Sequence, residues 1–162
     1  MVLMATARLI RVLLADDHAM VRQAVRSLLD SYPNVEVVGE AGDGEEGFRQ
    51  VKRLQPSVVV MDLTMPKMDG VSSTRLIKTY YPHTAVIGLS VLGQSYPADT
   101  MIKAGASEVI TKEKAADELY GAIQRAVGSL HPIVIRDDVP VAPKPFQREQ
   151  AVAKSRPSIN DR

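Results

Sequence analysis

A chain of 162 residues with 45% apolar side chains can build one ordinary core and is too short for two large domains. Its 20 basic and 19 acidic residues leave a net charge of +1, so no overall field draws it to nucleic acid or to an anionic membrane. The lack of cysteine excludes disulfides, thiolate metal sites and thiol nucleophiles, and the three histidines, His18, His83 and His131, are too scattered to suggest a ligand cluster.

The first ten residues are apolar, but Arg8 and Arg11 interrupt them before any run of membrane length develops, so neither a signal peptide nor a membrane span is expected. With the absence of cysteine, this suits the cytoplasm. From about residue 10 to about residue 129, short apolar runs alternate with amphipathic segments, the pattern of parallel strands joined by crossover helices. Strands are predicted over 10–15, 35–40, 57–62, 84–90 and 108–111, all brief, as strands buried on both faces usually are. Between the first two, Val21, Ala24, Val25, Leu28 and Leu29 repeat at helical spacing, with Arg22, Gln23 and Arg26 on the other side. Further helices are predicted over 44–54, 71–80, 95–104 and 115–127, the last carrying Leu119, Ala122, Ile123 and Val127 on one face. The expected fold is therefore α/β, a five-stranded parallel sheet with five helices. After Leu130 the composition changes: residues 131–162 hold five of the ten prolines, mixed charges and little periodic apolar pattern. The expected organisation is one domain over 1–130 and a proline-rich tail over 131–162, which has too little apolar surface to offset chain ordering.

In such a sheet, ligands sit at the carboxyl ends of the strands, where the loops converge. The first strand ends in Asp16 and Asp17, the third in Asp62 and the fourth in Ser90, while Lys112 directly follows the fifth. Three carboxylates brought together repel one another and raise some of their pKa values unless a cation sits among them. Open oxygen coordination with retained waters favours Mg²⁺. Lys112 can then pair with a carboxylate oxygen, and Ser90 offers a hydroxyl to an incoming anion. A single aspartate at a strand end is as a rule a cap or turn residue. Five suitable side chains at the ends of four strands are a stronger signal than any one of them.

The runs Leu14 to His18 (LADDH) and Met61 to Gly70 (MDLTMPKMDG), then Leu89-Ser90 and Thr111 to Glu113 (TKE), resemble the receiver domain of bacterial two-component response regulators, particularly the NarL/FixJ type. The resemblance covers residues 10 to about 130. It implies the flavodoxin-like, doubly wound (βα)5 arrangement and a phosphorylation-dependent signalling switch. It also implies that Asp62 is the phosphoacceptor, Asp17 and Asp62 direct Mg²⁺ ligands, and Asp16 a ligand through water, with the backbone carbonyl of Thr64 completing the protein's share. Ser90 and Lys112 would contact the phosphoryl oxygens. The implied donor is a sensor histidine kinase or phosphotransfer protein, or less efficiently a small phosphodonor. A downstream protein partner follows, which the sequence does not identify, and homodimers are common among similar proteins. No enzymatic activity is implied beyond assistance to the protein's own phosphorylation and dephosphorylation.

Three departures from the family pattern carry expectations. Val109 stands where receivers usually have Tyr or Phe, three residues before the lysine, and a valine cannot make the same aromatic toggle. NarL/FixJ regulators normally continue into a DNA-binding helix-turn-helix domain, for which residues 131–162 are too few and too proline-rich, so direct DNA binding is not expected. Thr64 and Leu92 supply no carboxylate or amide to orient a hydrolytic water, which predicts a long-lived aspartyl phosphate. Pro66 and Gly70 are read as shapers of the loop after the third strand, the glycine by permitting unusual dihedrals, and Asp69 as a helix cap.

Competing readings are weaker. Gly42-Asp-Gly44-Glu-Glu-Gly47 matches G-x-G-x-x-G, but Asp43, Glu45 and Glu46 would set three negative charges where a pyrophosphate should sit. Phosphatases of the haloacid dehalogenase type place a second aspartate two residues after the first, and Thr64 occupies that place. The alternative kept is a receiver-like scaffold that signals through protein contacts without phosphorylation.

Overall fold

The computed structural model describes residues 8–92 and 98–130. The expected tail over 131–162, and the expected start of the fourth helix over 95–97, lie outside the described residues. Five strands, β1 Ile10–Ala15, β2 Val35–Ala41, β3 Val58–Asp62, β4 Ala85–Ser90 and β5 Glu108–Thr111, form one sheet in the order β2-β1-β3-β4-β5. Every pairing is parallel. The connecting helices are α1 Ala19–Leu29, α2 Gly44–Leu54, α3 Gly70–Tyr80 and α4 Ala98–Ala104, with α5 Ala115–Leu130 following a short 3₁₀ turn at Lys112–Lys114. Two strands and the second helix fall at the predicted bounds, and α5 runs three residues further than its apolar stripe indicated.

The sheet separates two cores, as the period-two alternation of buried strands requires. Val12, Leu14, Val58, Val60, Ile87 and Leu89 pack against α1 and α5, through Val25, Leu29, Leu119 and Ile123. On the opposite face Leu13, Val59, Met61 and Val86 meet Val51 of α2, Ile77 of α3 and Met101 of α4. All five residues of β3 are buried, which makes it the most enclosed strand.

Two details of α1 differ from the sequence reading. Ala24 is exposed rather than buried. It lines the rim of an apolar groove between α1 and α5, because the contact stripe is narrow and centred on Val25 and Leu29. Arg22 and Arg26 are half-buried instead of free on the far side, since both reach Glu40 of β2, Arg22 Nε donating to Oε2 at 2.8 Å and Arg26 Nε to Oε1 at 2.8 Å. A bulge makes this possible. The β1–β2 register steps from Val12↔Val37 to Leu13↔Gly39, so one extra residue reverses the facing of the rest of β2. Gly39 then faces Leu54 and Leu13, and Glu40 turns to α1.

Candidate functional site

The register of the central strands brings the acids together. Ala15 pairs with Met61, so the next residues along, Asp16 and Asp62, end adjacent strands on the α1/α5 side of the sheet. Asp62 in turn pairs with Leu89, one residue before Ser90, and Ser90 pairs with Thr111, one residue before Lys112. Asp16 and Asp62 are 3% and 2% exposed, a depth at which a carboxylate needs a partner. Lys112 is that partner: its Nζ lies 2.6 Å from Asp16 Oδ2 and 3.3 Å from Asp62 Oδ1. Neither oxygen completes an aligned hydrogen bond, so the contacts act through charge. Asp17 is more open and sits beside His18, whose Nδ1 lies 3.0 Å from Asp17 Oδ1 and 3.2 Å from Asp16 Oδ1. Ser90 is half-buried, and Thr64 is exposed in the loop after β3.

The charge is unbalanced. Three carboxylates face one ammonium, and Asp62 responds with a pKa raised to about 6, through burial first and the charge of Asp16 second, with Lys112 pulling the other way. Burial also works against the charge of Lys112, but Asp16 and Asp62 together outweigh it and hold its pKa above that of a free lysine. One donor atom from each of Asp16, Asp17, His18 and Asp62 lies within 4.8 Å of the others. Buried carboxylate oxygens without hydrogen bonds, predominantly hard donors and excess negative charge are what a divalent cation such as Mg²⁺ requires, so the residues fit that ion.

The framework around these groups is built from close approaches. The Asp16 backbone carbonyl accepts from Arg22 Nη1 at 2.5 Å, which ties the β1–α1 loop to the same arginine that holds Glu40. After β3, Leu63 N donates to Leu89 O at 3.1 Å and Gly70 N to Leu63 O at 2.9 Å, folding the loop back on the strand end. Gly70 is required for space and not for an unusual dihedral: its φ is not positive, and a Cβ there would overlap the carbonyl oxygen of Asp62. Asp69 caps α3, accepting from Ser72 N at 2.7 Å. The loop also grips α2. Lys67, at φ +63°, sets its Nζ 3.1 Å from Asp43 Oδ2, and Gly44 N donates to Met68 O at 2.9 Å. Asp43 in turn caps α2 by accepting from Glu46 N at 2.8 Å, while Glu46 Oε2 accepts from Gly42 N at 2.8 Å. The glycine-rich run is thus a helix start closed by its own acids. Sequence reasoning brought forward Asp16, Asp17, Asp62, Ser90 and Lys112 and missed His18, Arg22 and Glu40. For His18 the available signal was its place immediately after the paired acids.

The fold and this geometry define a class, and comparison with known proteins agrees. Residues 12–124 match the response regulator receiver domain family, and the chain belongs to it. It is 40% identical over 118 residues to the transcriptional regulatory protein LiaR of Bacillus subtilis, covering 73% of this chain and 56% of that protein. It is 42% identical over 105 residues to a protein-glutamate methylesterase/protein-glutamine glutaminase of Geobacter sulfurreducens, covering 65% of this chain and 28% of that protein. The crystal structure of the response regulator domain of Thermotoga maritima CheB superposes with a TM-score of 0.69 at 34% identity, over 75% of this chain and 98% of that one. The chain therefore spans about half or less of the length of these two curated relatives, and what it shares with them is the phosphoacceptor signalling domain. Among the described residues no helix is long and apolar enough to cross a membrane.

Proposed function

We propose that this protein is a phosphorylation switch in which Asp62 accepts a phosphoryl group from the phosphohistidine of a sensor kinase or phosphotransfer protein and thereby changes a contact with a downstream protein. The observation that carries the reading is the convergence of two buried aspartates on Lys112 at the carboxyl end of the sheet. In the transfer, an Asp62 oxygen forms the new P–O bond as the P–N bond to the donor imidazole breaks and that imidazole takes up a proton. The pKa of about 6 leaves Asp62 mostly ionised at neutral pH and hence nucleophilic. Lys112 is already within reach of the acceptor carboxylate and stays charged, so it opposes the charge of the phosphoryl oxygens, while the Ser90 hydroxyl donates to one of them. Mg²⁺, held by Asp17, Asp62, the Thr64 carbonyl and through water by Asp16, would add positive charge against those oxygens.

The site acts on its own acceptor and turns over no other substrate. The relatives named as a transcriptional regulator and as a methylesterase are matched over 56% and 28% of their length, so their own outputs are not carried over to this chain. Incubation with radiolabelled acetyl phosphate and Mg²⁺ tests the reading, with Asp62→Asn as control. Stable label on the wild type and none on the variant is expected. Rapid turnover of the donor would instead make the site a phosphatase, and no label at all would leave a receiver-shaped scaffold.

A further inference from the structure

We propose that the stretch following α5 folds back on the sheet, with Ile133 and Ile135 filling an apolar cavity at the amino ends of β1, β3 and β4. The cavity has a volume of about 600 Å³ and lies at the end of the sheet opposite the acidic site. Leu9 and Ile10 form its wall at the start of β1, Pro56 and Thr84 stand before β3 and β4, and Val127 and Gly128 close it from the last turn of α5. Leu9 is 43% exposed, so a large aliphatic side chain faces water at this wall. An apolar occupant takes that surface out of water.

The place where the chain leaves the fold selects the occupant. Gly128 lines the cavity and α5 ends two residues later at Leu130, so the next residues start at the cavity wall. Pro132 cannot extend the helix, because it has no N–H to donate and its ring clashes with the preceding turn, and it biases His131 away from helical dihedrals. Ile133, Val134 and Ile135 follow it, the one run of three branched aliphatics in residues 131–162, and side chains of this kind favour extended backbone. Extended, three residues span about 10 Å and present Ile133 and Ile135 to one side and Val134 to the other. Arg136, Asp137 and Asp138 come next and bound the apolar run with charges that stay in water, so the proline-rich tail begins at 136 and not at 131. Residues 1–7 reach the same wall from Arg8 and compete for it. Ordering them costs more: Met1 and Met4 each lose roughly twice the rotamer freedom of an isoleucine on burial.

The test uses the full chain with methyl-labelled isoleucine, leucine and valine. Nuclear Overhauser contacts are expected from the methyls of Ile133 and Ile135 to those of Leu9 and Val127 in the wild type, and they should persist within single molecules when labelled and unlabelled chains are mixed. Ile133→Ser combined with Ile135→Ser should lower the thermal midpoint by about 5 °C or more, whereas Val139→Ser with Val141→Ser, further along the tail, should move it by less than about 1 °C. Contacts to Leu9 and Val127 from Val2 or Leu3 instead would give the cavity to residues 1–7, and contacts seen only between molecules would give it to a second copy. Absence of any contact from Ile133 and Ile135, with no change of midpoint on their substitution, would leave the cavity open. Each of these three results overturns the proposal, and none bears on the reading of Asp62.

Discussion

Replacing Asp62 by asparagine should stabilise the metal-free protein, by an amount that depends on pH in a way the site fixes. The carboxyl goes from an ordinary 3.8 in the unfolded chain to about 6 when folded, which corresponds to about 3 kcal/mol. The sign is that of a raised pKa: the folded protein favours the protonated form, so no stability is lost below pH 3.8, and stability falls as pH rises until Asp62 is fully ionised above about 6. Asparagine has the shape of the neutral acid and does not titrate. In urea titrations with EDTA, Asp62→Asn should exceed the wild type by about 3 kcal/mol at pH 7, by roughly half as much at pH 5 and by almost nothing at pH 3. Saturating Mg²⁺ should narrow the gap at pH 7, because an ion that binds only the folded wild type stabilises it. A variant no more stable than the wild type at pH 7, or a gap that does not shrink toward acid, would refute the claim that like charge and burial are concentrated on this carboxylate.

Arg22→Ala removes a donor to Glu40 and the donor to the Asp16 carbonyl, both partly buried, and should cost about 2 kcal/mol in chemical denaturation at pH 7. Arg22, more than any other group, holds the Glu40 carboxyl below its usual 4.5, so that pairing is present above pH 4.5 and is lost as pH falls through the lowered value; the gap between variant and wild type should shrink there. Gly70→Ala drives a methyl into the Asp62 carbonyl and should cost roughly 3 kcal/mol and reduce labelling by acetyl phosphate, whereas Gly121→Ala, which would meet only the exposed guanidinium of Arg125, should change neither. Because Thr64 and Leu92 offer no carboxylate or amide to orient water, label on purified protein should persist for minutes, and its loss within seconds would contradict the hydrolysis argument.

What the sequence made legible is what depends on local chemistry. Strands such as VVVMD declare themselves because burial on both faces leaves no polar alternation, and their acids stand at the carboxyl ends, where the strands pass into the loops. Asp43 and Glu46 cap the start of α2, a pairing written within four residues that the sequence reading used only as negative charge against a pyrophosphate. What escaped depends on approach in space. The bulge after Val37 has no strong local mark, yet it decides that Glu40 faces Arg22 and Arg26. Lys67 takes a left-handed conformation without being glycine because its ammonium and the neighbouring carbonyl meet Asp43 and Gly44 on another element. Ala24 was misplaced because helical spacing gives a stripe but not its width. His18 is far in sequence from the other histidines, and only its place directly after Asp16 and Asp17 marks its contact with them.

The same geometry separates what is held from what is free to respond. Asp62 ends a strand paired on both sides, in register with β1 and β4, and Leu63 and Gly70 close the loop directly over it by backbone hydrogen bonds. Displacing the Asp62 backbone must break that ladder, so the point from which the carboxylate projects is fixed. Ser90 and Lys112 stand at the ends of β4 and β5, toward the open edge of the sheet, and Lys112 is divided between two acids over 2.6 and 3.3 Å. On the proposed switch, charge added on Asp62 would change that division first and draw Lys112 from Asp16, and Ser90, toward the new anion. β4 and β5 carry the change to their flanking helices, where half-buried Val109 packs near Met101 and Gly88 in place of an aromatic ring. A branched aliphatic side chain locked by such packing has few rotamers to exchange. On the proposed switch, a change reaching the α4 side would therefore travel as displacement of the strand ends and not as a rotamer exchange of Val109.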